Sequence, residues 1–565
     1  MTPDDPRPAS SSVLLDRRRF LLAALGGAGA VALGACSGGG PAGQARPGSR
    51  PTLRLANGAT GFPSPFASNA DIGYNQMILL YDTLLWKDGS GRLVPWLAKS
   101  WTLSDDHLTY TFELRDGMRW SDGRPFGADD VVFTFDYYAK QGSLSPPVII
   151  QPPEGVAQVR AVGPTTVTVI LDSPLVTFAD QVAAALPIIP RHVWTSIADP
   201  GAALDPKVLV GTGPYRLVSY GDDGGPLLYT ARDDYFLGPP YIRRIEMRAI
   251  GDQFAALLSG ASDAATGFGL RDDILRPFTG HQDYGMVTER GTWIAGALYW
   301  NLGTEGALAD ARFRRACAMA VDRRDLVGRL AAGRGLPGNP GFLSPENPYV
   351  APVPQYGLDV AGANALLDSA GYRRGSNGVR TDPARGPLSF ELRIDSAEAP
   401  MTEILVADLA RIGVEVRTKP VQLGPELFGN KLFGGYDMVV LPFPGPSAGG
   451  PNGDPDLLRH LFSSKVAPSL TAATSYVNPT FDALAEKQRG LFDEQQRRSV
   501  VAEMQRIVAE DLPILPLLYP DKTLIFRKGV LDQWYFTPGQ YPTTTDNKQL
   551  FVTGTKAGTR IRAAP

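Results

Sequence analysis

Residues 108–140 read LTYTFELRDGMRWSDGRPFGADDVVFTFDYYAK. The opening alternates strictly: Leu108, Tyr110, Phe112 and Leu114 point one way, and Thr109, Thr111 and Glu113 the other. That is the period of a half-buried strand. Asp116-Gly117 is a turn signal, and Ser121-Asp122-Gly123 with Pro125 is a second. Gly127 then suits an N-cap. Asp129 and Asp130 fall in the first helical turn, where carboxylates complement the helix dipole. Val131, Phe135 and Tyr138 follow at helical spacing. The stretch therefore predicts a strand, tight turns, a short strand and a helix, an α+β element with no chemistry of its own.

Outward from it, the 565 residues are long enough for more than one domain. With 43% hydrophobic and 20% charged residues the chain has the composition of an ordinary globular protein. The formal net charge of −3 comes with no block of like charge, so no nucleic-acid partner is expected. Residues 1–35 are set aside as an export signal. Arg17-Arg18-Arg19-Phe20-Leu21-Leu22 resembles a twin-arginine signal, although Asp16 stands where that pattern usually has Ser or Thr. The apolar run from Phe20 ends in Leu33-Gly34-Ala35-Cys36, which resembles a bacterial lipobox, with lipid expected on Cys36. Residues 36–51, rich in Gly, Ser, Pro and Ala, read as a flexible tether. With Cys36 lipidated only Cys317 remains, so no intrachain disulfide is expected. No later apolar run is long enough to cross a bilayer.

Along the remaining chain, Thr52–Ala56 reads as a first strand and 58–69 as an irregular loop carrying Phe62. Tyr74–Trp86 is apolar at helical spacing and predicts a helix. Val159–Leu171 predicts two strands about a Gly-Pro turn. Gly211-Thr212-Gly213-Pro214-Tyr215 suits a crossing point, where unusual dihedrals are expected. Ala297–Leu302 predicts a strand. Arg312–Leu326 predicts one helix, with Phe313, Ala316, Cys317, Ala320 and Val321 on one face, which makes Cys317 a core thiol. Helices are also expected over Asp359–Ala370, Glu403–Ile412 (closed by Gly413), Phe481–Leu491 behind the Asn478-Pro479 cap pair, and Asp493–Glu510. No internal repeat is evident.

The string Leu114, Arg115, Gly117, Trp120, Asp122, Gly123, Pro125, Phe126, Ala128, Asp130, Val131 resembles the signature of the family 5 bacterial solute-binding proteins, the peptide- and nickel-type receptors of ABC importers. Further likenesses run in family order: Tyr81/Leu84/Leu85, Pro95–Trp101, Leu186–Val193, Gly211–Tyr215, the Leu258–Asp263 segment and Asp511–Leu517. The resemblance implies an α/β, two-lobe periplasmic-binding-protein-like fold with mixed sheets, an inserted subdomain and a hinge between lobes. Its large lobe would combine 52–92, 208–298 and 517–565, with the subdomain at 93–207 and the second lobe at 299–516. It implies a monomeric receptor, not an enzyme, that needs no cofactor and sits on the outer face of the cell membrane through Cys36. It would capture a peptide or other small-molecule ligand and deliver it to membrane permease subunits. By family position the ligand-contacting candidates are Phe62, Tyr74, Trp300, Asn301 and Phe443, each of which could equally serve core packing. Oligopeptide receptors of this kind commonly place an Asp shortly after the aromatic at Phe443, to pair with the peptide ammonium. Here that position falls near Pro446, and Asp454 is the nearest substitute. Oligosaccharides and chelated nickel therefore stand as alternative ligands.

Two other chemistries leave weaker traces. The four histidines, His107, His192, His281 and His460, are far apart and have no His partner at i+3 or i+4, so no protein metal site is predicted. Gly445-Pro446-Ser447-Ala448-Gly449 matches the nucleophile elbow of secreted serine hydrolases. The loop-forming Gly450–Pro455 follows where a helix should start, and His460 is too near in sequence for the usual triad order. No phosphate-binding G-x-x-x-x-G-K-[ST] loop is present, so the chain itself is not expected to be an ATPase.

Overall fold

The computed structural model describes residues 51–68, 72–141, 153–221, 224–291, 296–383, 385–395, 399–421, 435–441, 454–466, 474–536 and 548–554. The export signal, Cys36, Phe443 and Ser447 lie outside the described residues. Strand β1 is Thr52–Leu55, with Leu53 and Leu55 buried. The helix predicted over Tyr74–Trp86 is short, Ile72–Met77, and Leu85–Lys87 is instead a strand, β2, paired with β3 (Leu93–Pro95). The physical reason is that the run has no polar face: Met77 through Tyr81, Leu84 and Leu85 are all buried. Apolar spacing alone does not select a helix where every side faces protein. The carbonyls of Leu79, Leu80 and Asp82 accept instead from the amides of Tyr215 (3.2 Å), Gly213 (2.9 Å) and Ile188 (2.9 Å).

The signature stretch folds as its pattern predicts. Strands β4 (Ala98–Leu103), β5 (Thr109–Leu114), β6 (Val156–Ala161) and β7 (Thr166–Leu171) form an antiparallel sheet in the order β4-β5-β7-β6. Tyr110, Phe112 and Leu114 of β5 are buried, and Gly117 and Gly123 take φ of +70° and +88° in the two turns. The short strand reduces to one bridge, Arg119 to Pro125. The helix Ala128–Gln141 buries Val131, Phe135 and Tyr138. The Asp130 carboxylate reaches back to accept the Gly127 amide at 3.2 Å and the Trp120 indole N–H at 3.2 Å, a reciprocal cap at the helix start.

Strands β8 (Tyr215–Tyr220), β9 (Leu227–Ala231), β10 (Arg244–Met247), β11 (Ala264–Phe268) and β12 (Tyr284–Glu289) follow. Next come β13 (Gly296–Trp300), β14 (Gly335–Pro337) and a small sheet of β15 (Arg373–Arg374), β16 (Arg380–Asp382) and β17 (Gly386–Pro387). The last five are β18 (Ser389–Asp395), β19 (Glu415–Val421), β20 (Met438–Leu441), β21 (Ile514–Pro520) and β22 (Lys522–Arg527). Two mixed sheets result, one in the order β12-β22-β11-β1-β10-β9-β8 and the other β14-β21-β13-β20-β18-β19. The second is buried on both faces. Leu298 and Trp300 enter one core with Phe313 and Cys317, while Ala297 and Tyr299 enter another with Phe342 and Leu458. Strands sandwiched in this way read as continuous apolar runs.

Sheet membership assigns the strands near the expected lobe boundaries. All of β13 and β21 belong to the second sheet, while β12 ends at Glu289 and β22 begins at Lys522 in the first. The helix expected over Arg312–Leu326 is two, Ala311–Ala320 and Arg323–Leu330. Between them Asp322 caps the second, accepting the amides of Arg324 and Asp325 at 3.0 Å each. Gly211 and Gly213 do not need unusual dihedrals, since neither has positive φ. They are glycine for closeness: a Cβ would sit 1.9 Å from the Leu80 carbonyl oxygen at Gly211 and 2.4 Å from the Leu80 carbonyl carbon at Gly213. The Asn478 cap is as predicted, its side-chain oxygen accepting the amides of Thr480 and Phe481 at 3.0 Å.

Candidate functional site

The two passages between sheets are neighbours. β12 and β22 pair up to Glu289↔Lys522 in the first sheet, and β13 and β21 pair from Gly296↔Leu518 in the second. Two antiparallel pairs, β12 with β22 and β13 with β21, thus meet end to end where the sheets adjoin, joined on one side through Asp521. A few residues at the ends of paired elements that can absorb changes in backbone dihedrals are the form of a hinge. Arg334 spans the same place: its Nε donates to the Leu270 carbonyl at 2.9 Å and its guanidinium pairs with Asp272. The Asp521 amide donates to the Arg334 carbonyl at 2.9 Å. Burial raises the Asp521 carboxyl above its ordinary value, against the pull of the bond from the Gly291 amide.

Strand directions set which edges meet there. In the first sheet β1, β8, β10 and β11 run parallel, so Leu55, Tyr220, Met247 and Phe268 are their carboxyl ends, on the side where β22 enters. In the second sheet β18, β19, β20 and β21 likewise end on this side, at Asp395, Val421, Leu441 and Pro520. Ligands of open α/β sheets bind beyond the carboxyl ends of parallel strands. At a strand spacing of about 4.8 Å, the first sheet's carboxyl edge extends roughly 25–30 Å from β12 to β8. That is room for an extended small molecule or short peptide.

Phe62 stands at the far end of this edge, in the loop that leaves β1. The loop is pinned by Gln76, fully buried, whose Oε1 accepts the Thr60 amide (3.0 Å) while its Nε2 donates to the Gly58 carbonyl (2.6 Å). The Phe62 ring meets Tyr220 edge to face at 5.4 Å. Together with Leu204, Pro206, Leu217 and Ser219 these two line a pocket of about 400 Å³. Tyr74 is half-buried against the first sheet's core, its hydroxyl donating to the Ala185 carbonyl at 3.4 Å.

The other candidates sit elsewhere. Trp300 has no exposed surface and packs on Phe313 at 6.4 Å, so as placed it offers nothing to a ligand. Asn301 ties the end of β13 to the next strand: its Nδ2 donates to the Tyr436 carbonyl at 2.7 Å and its Oδ1 accepts the Gly303 amide at 3.2 Å. Asp454 is committed to Arg497, which donates to both its oxygens at 2.8 and 2.6 Å, so it is not free to receive a ligand ammonium. His460 is held against Asp456 at 3.1 Å and Arg459 at 2.8 Å. Cys317 is buried and its thiol is pushed well up by that burial. Among the described residues no three His, Cys, Asp or Glu gather as a metal site, and no helix is long and apolar enough to cross a membrane. Sequence reasoning missed Gln76 and Tyr220. Gln76 lies inside the apolar run read as a helix, and nothing local marks Tyr220 as the partner of a residue 158 positions earlier.

Comparison with known proteins agrees with this architecture. The profile described as "Bacterial extracellular solute-binding proteins, family 5 Middle" matches residues 92–467, well over half of the chain. Heme-binding protein A of Haemophilus influenzae is 28% identical over 473 residues, covering 78% of this chain and 81% of the relative. The dipeptide-binding protein of Escherichia coli is 27% identical over 478 residues, covering 80% and 85%. The crystal structure of NikZ from Campylobacter jejuni, in complex with Ni(L-His), superposes with a TM-score of 0.72 at 23% identity, covering 89% of this chain and 98% of that one.

Proposed function

The chain belongs to family 5 of the bacterial extracellular solute-binding proteins, and on that premise we propose that it is the receptor of an ABC importer for oligopeptide-type ligands. It acts as a monomer on the outer face of the cell membrane, tethered by lipid on Cys36, and passes its ligand to membrane permease subunits. The observation that supports this reading is the meeting of the two sheets' carboxyl edges beside Glu289 and Lys522, between which a ligand would lie. A ligand touching both edges favours the closed arrangement because only there does it make both sets of contacts. No bond is made or broken; the closed form is what a permease recognises. The lobes in this reading are 52–92 with 208–289 and 521–565, a subdomain at 93–207, and 296–520.

Phe62 and Tyr220 supply an apolar wall at one end of the ligand space. With Asp454 bound to Arg497, a peptide's amino terminus is received by some other group or through water. Thermal unfolding of the soluble chain beginning at Ser37 tests the assignment against mixed short peptides, cello- and xylo-oligosaccharides, and nickel with and without histidine. A ligand at a hundred times its Kd adds about 2.7 kcal/mol, a readily measured rise in Tm. The expected result is a rise with peptides. A rise only with sugars, or only with nickel–histidine, would overturn the peptide assignment.

A further inference from the structure

One end of the four-stranded sheet faces helices to which it has no covalent link. Three features gather at that end: the β4–β5 turn with His107, the start of β6 with Glu154, and the segment after β7 with Val176. The Asp172 amide donates to the Gly155 carbonyl at 2.9 Å, and the Leu171 amide to the Leu108 carbonyl at 2.8 Å, so the three move as one piece. Opposite them stand Arg459 on the helix Leu457–Phe462, Arg489 at the end of the helix Pro479–Arg489, and Phe492 just beyond.

Four contacts join the two sides. The Glu154 carboxylate lies 3.2 Å from the guanidinium of Arg459 and 3.2 Å from that of Arg489. The Val176 amide donates to the Arg489 carbonyl at 2.8 Å. The His107 ring stacks on Phe492, centroids 3.9 Å apart and planes within 11°. The second side is prearranged. Arg459 is almost wholly buried and already bonded to Asp456 at 2.9 and 3.0 Å, so it presents its remaining N–H to Glu154 without needing to be ordered. Asp456 is in turn held by His460 and Gln488.

We infer that Glu154, Val176 and His107 form a latch that clasps the inserted subdomain to the second lobe and holds the lobes together without ligand. The subdomain is continuous in sequence with the first sheet only, so these contacts form and break solely by movement of one lobe against the other. The permease-competent shape then has two supports, the ligand in the cleft and the latch at its rim. The inference needs the two-lobe arrangement but no particular ligand.

The Val176 amide is a direct reporter, because its acceptor belongs to the other lobe. Hydrogen exchange of the ligand-free soluble chain, read by mass spectrometry, should show that amide protected in the unaltered protein. Glu154→Arg places a third cation beside Arg459 and Arg489, and should speed exchange at Val176 roughly tenfold while the β5 and β7 amides stay as they were. Adding Arg489→Glu to Glu154→Arg restores an opposite-charge pair and should return much of the protection. Glu154→Gln, which keeps the shape and removes the charge, should fall between. An unprotected Val176 amide in the unaltered chain overturns the latch. So does unchanged exchange in Glu154→Arg, or loss of protection that spreads equally to β5 and β7.

Discussion

Lys548→Met should uncouple the helix Lys548–Thr553 from the first sheet's core and destabilise the protein by about 3–5 kcal/mol, the usual consequence of removing one partner of a buried ion pair. Lys548 and Asp82 are both fully buried, with Nζ 2.6 Å from the carboxylate. Nζ also donates to the Tyr81 carbonyl at 2.7 Å and lies 5.0 Å from the Trp86 ring centroid and 5.8 Å from that of Trp96. At an effective dielectric of about 20, two unit charges at this separation attract by about 6 kcal/mol, much of it offset by taking both ions out of water. The same carboxylate oxygen accepts the Trp96 indole N–H at 2.7 Å and the Tyr235 hydroxyl at 3.2 Å. Methionine fills most of the lysine's volume, so the loss is electrostatic rather than a cavity. The stranded Asp82 anion is then the main cost, and Asp82→Asn in the Lys548→Met background should recover more than half of it, because an amide oxygen still accepts from Trp96 and Tyr235. Urea unfolding of the soluble chain, followed by tryptophan emission, measures both variants. If Lys548→Met costs less than about 1 kcal/mol, or the double variant is no more stable than the single, the pair is not a working ion pair and the argument fails.

Two further perturbations test other parts of the structure. Gly213→Ala puts a methyl group into the Leu79–Leu80 backbone, 2.4–2.6 Å from its atoms, and should cost roughly 1–3 kcal/mol in urea unfolding; a stability equal to the parent's would mean the approach is not tight. Asp456 sets a pH dependence: burial alone would raise its carboxyl, but the bonds from His460 and Arg459 outweigh burial and hold it far below its ordinary 3.8. A depressed carboxyl contributes stability that is fully present above the unfolded value and lost as pH falls below about 4 toward the folded value. Asp456→Asn should therefore flatten the acid limb of a Tm-against-pH curve while lowering the plateau at neutral pH, and an acid limb as steep as the parent's would refute this.

What could be read from the sequence divides by how local its cause is. The β5 alternation, the turns at Gly117 and Gly123 and the Asn478 cap are decided within a few residues, and all appear as read. The Gly211–Tyr215 string was legible as special, but its cause was not: the glycines admit the Leu80 backbone, a partner some 130 positions earlier that no local dihedral argument supplies. Tyr74–Trp86 misled because its periodicity was counted over a segment with no outward face. Trp300 shows the same limit in a strand. Ala297, Leu298, Tyr299 and Trp300 are apolar on both sides, so alternation could not say which face met a core, and both do. For a related reason, nothing in an apolar strand marks which of two sheets it joins.

The ligand is harder to read than the fold because the two are specified in different places. The relatives named for heme and for dipeptide are 28% and 27% identical to this chain over nearly the same length. Overall likeness at that level tracks the sheets and cores, not the cargo. The described strands β18, β19 and β20 end at Asp395, Val421 and Leu441, at the carboxyl edge of the second sheet. Loops leaving the carboxyl edge of a rigid sheet can change length and composition at little cost to the core. The position near Pro446, where an ammonium-pairing Asp would be expected, lies in one such segment, and Asp454 at its far end is spoken for by Arg497. On the latch reading, a substitution at Glu154 should change how firmly the lobes hold together without changing which ligand is preferred, because Glu154 belongs to the inserted subdomain and not to either carboxyl edge.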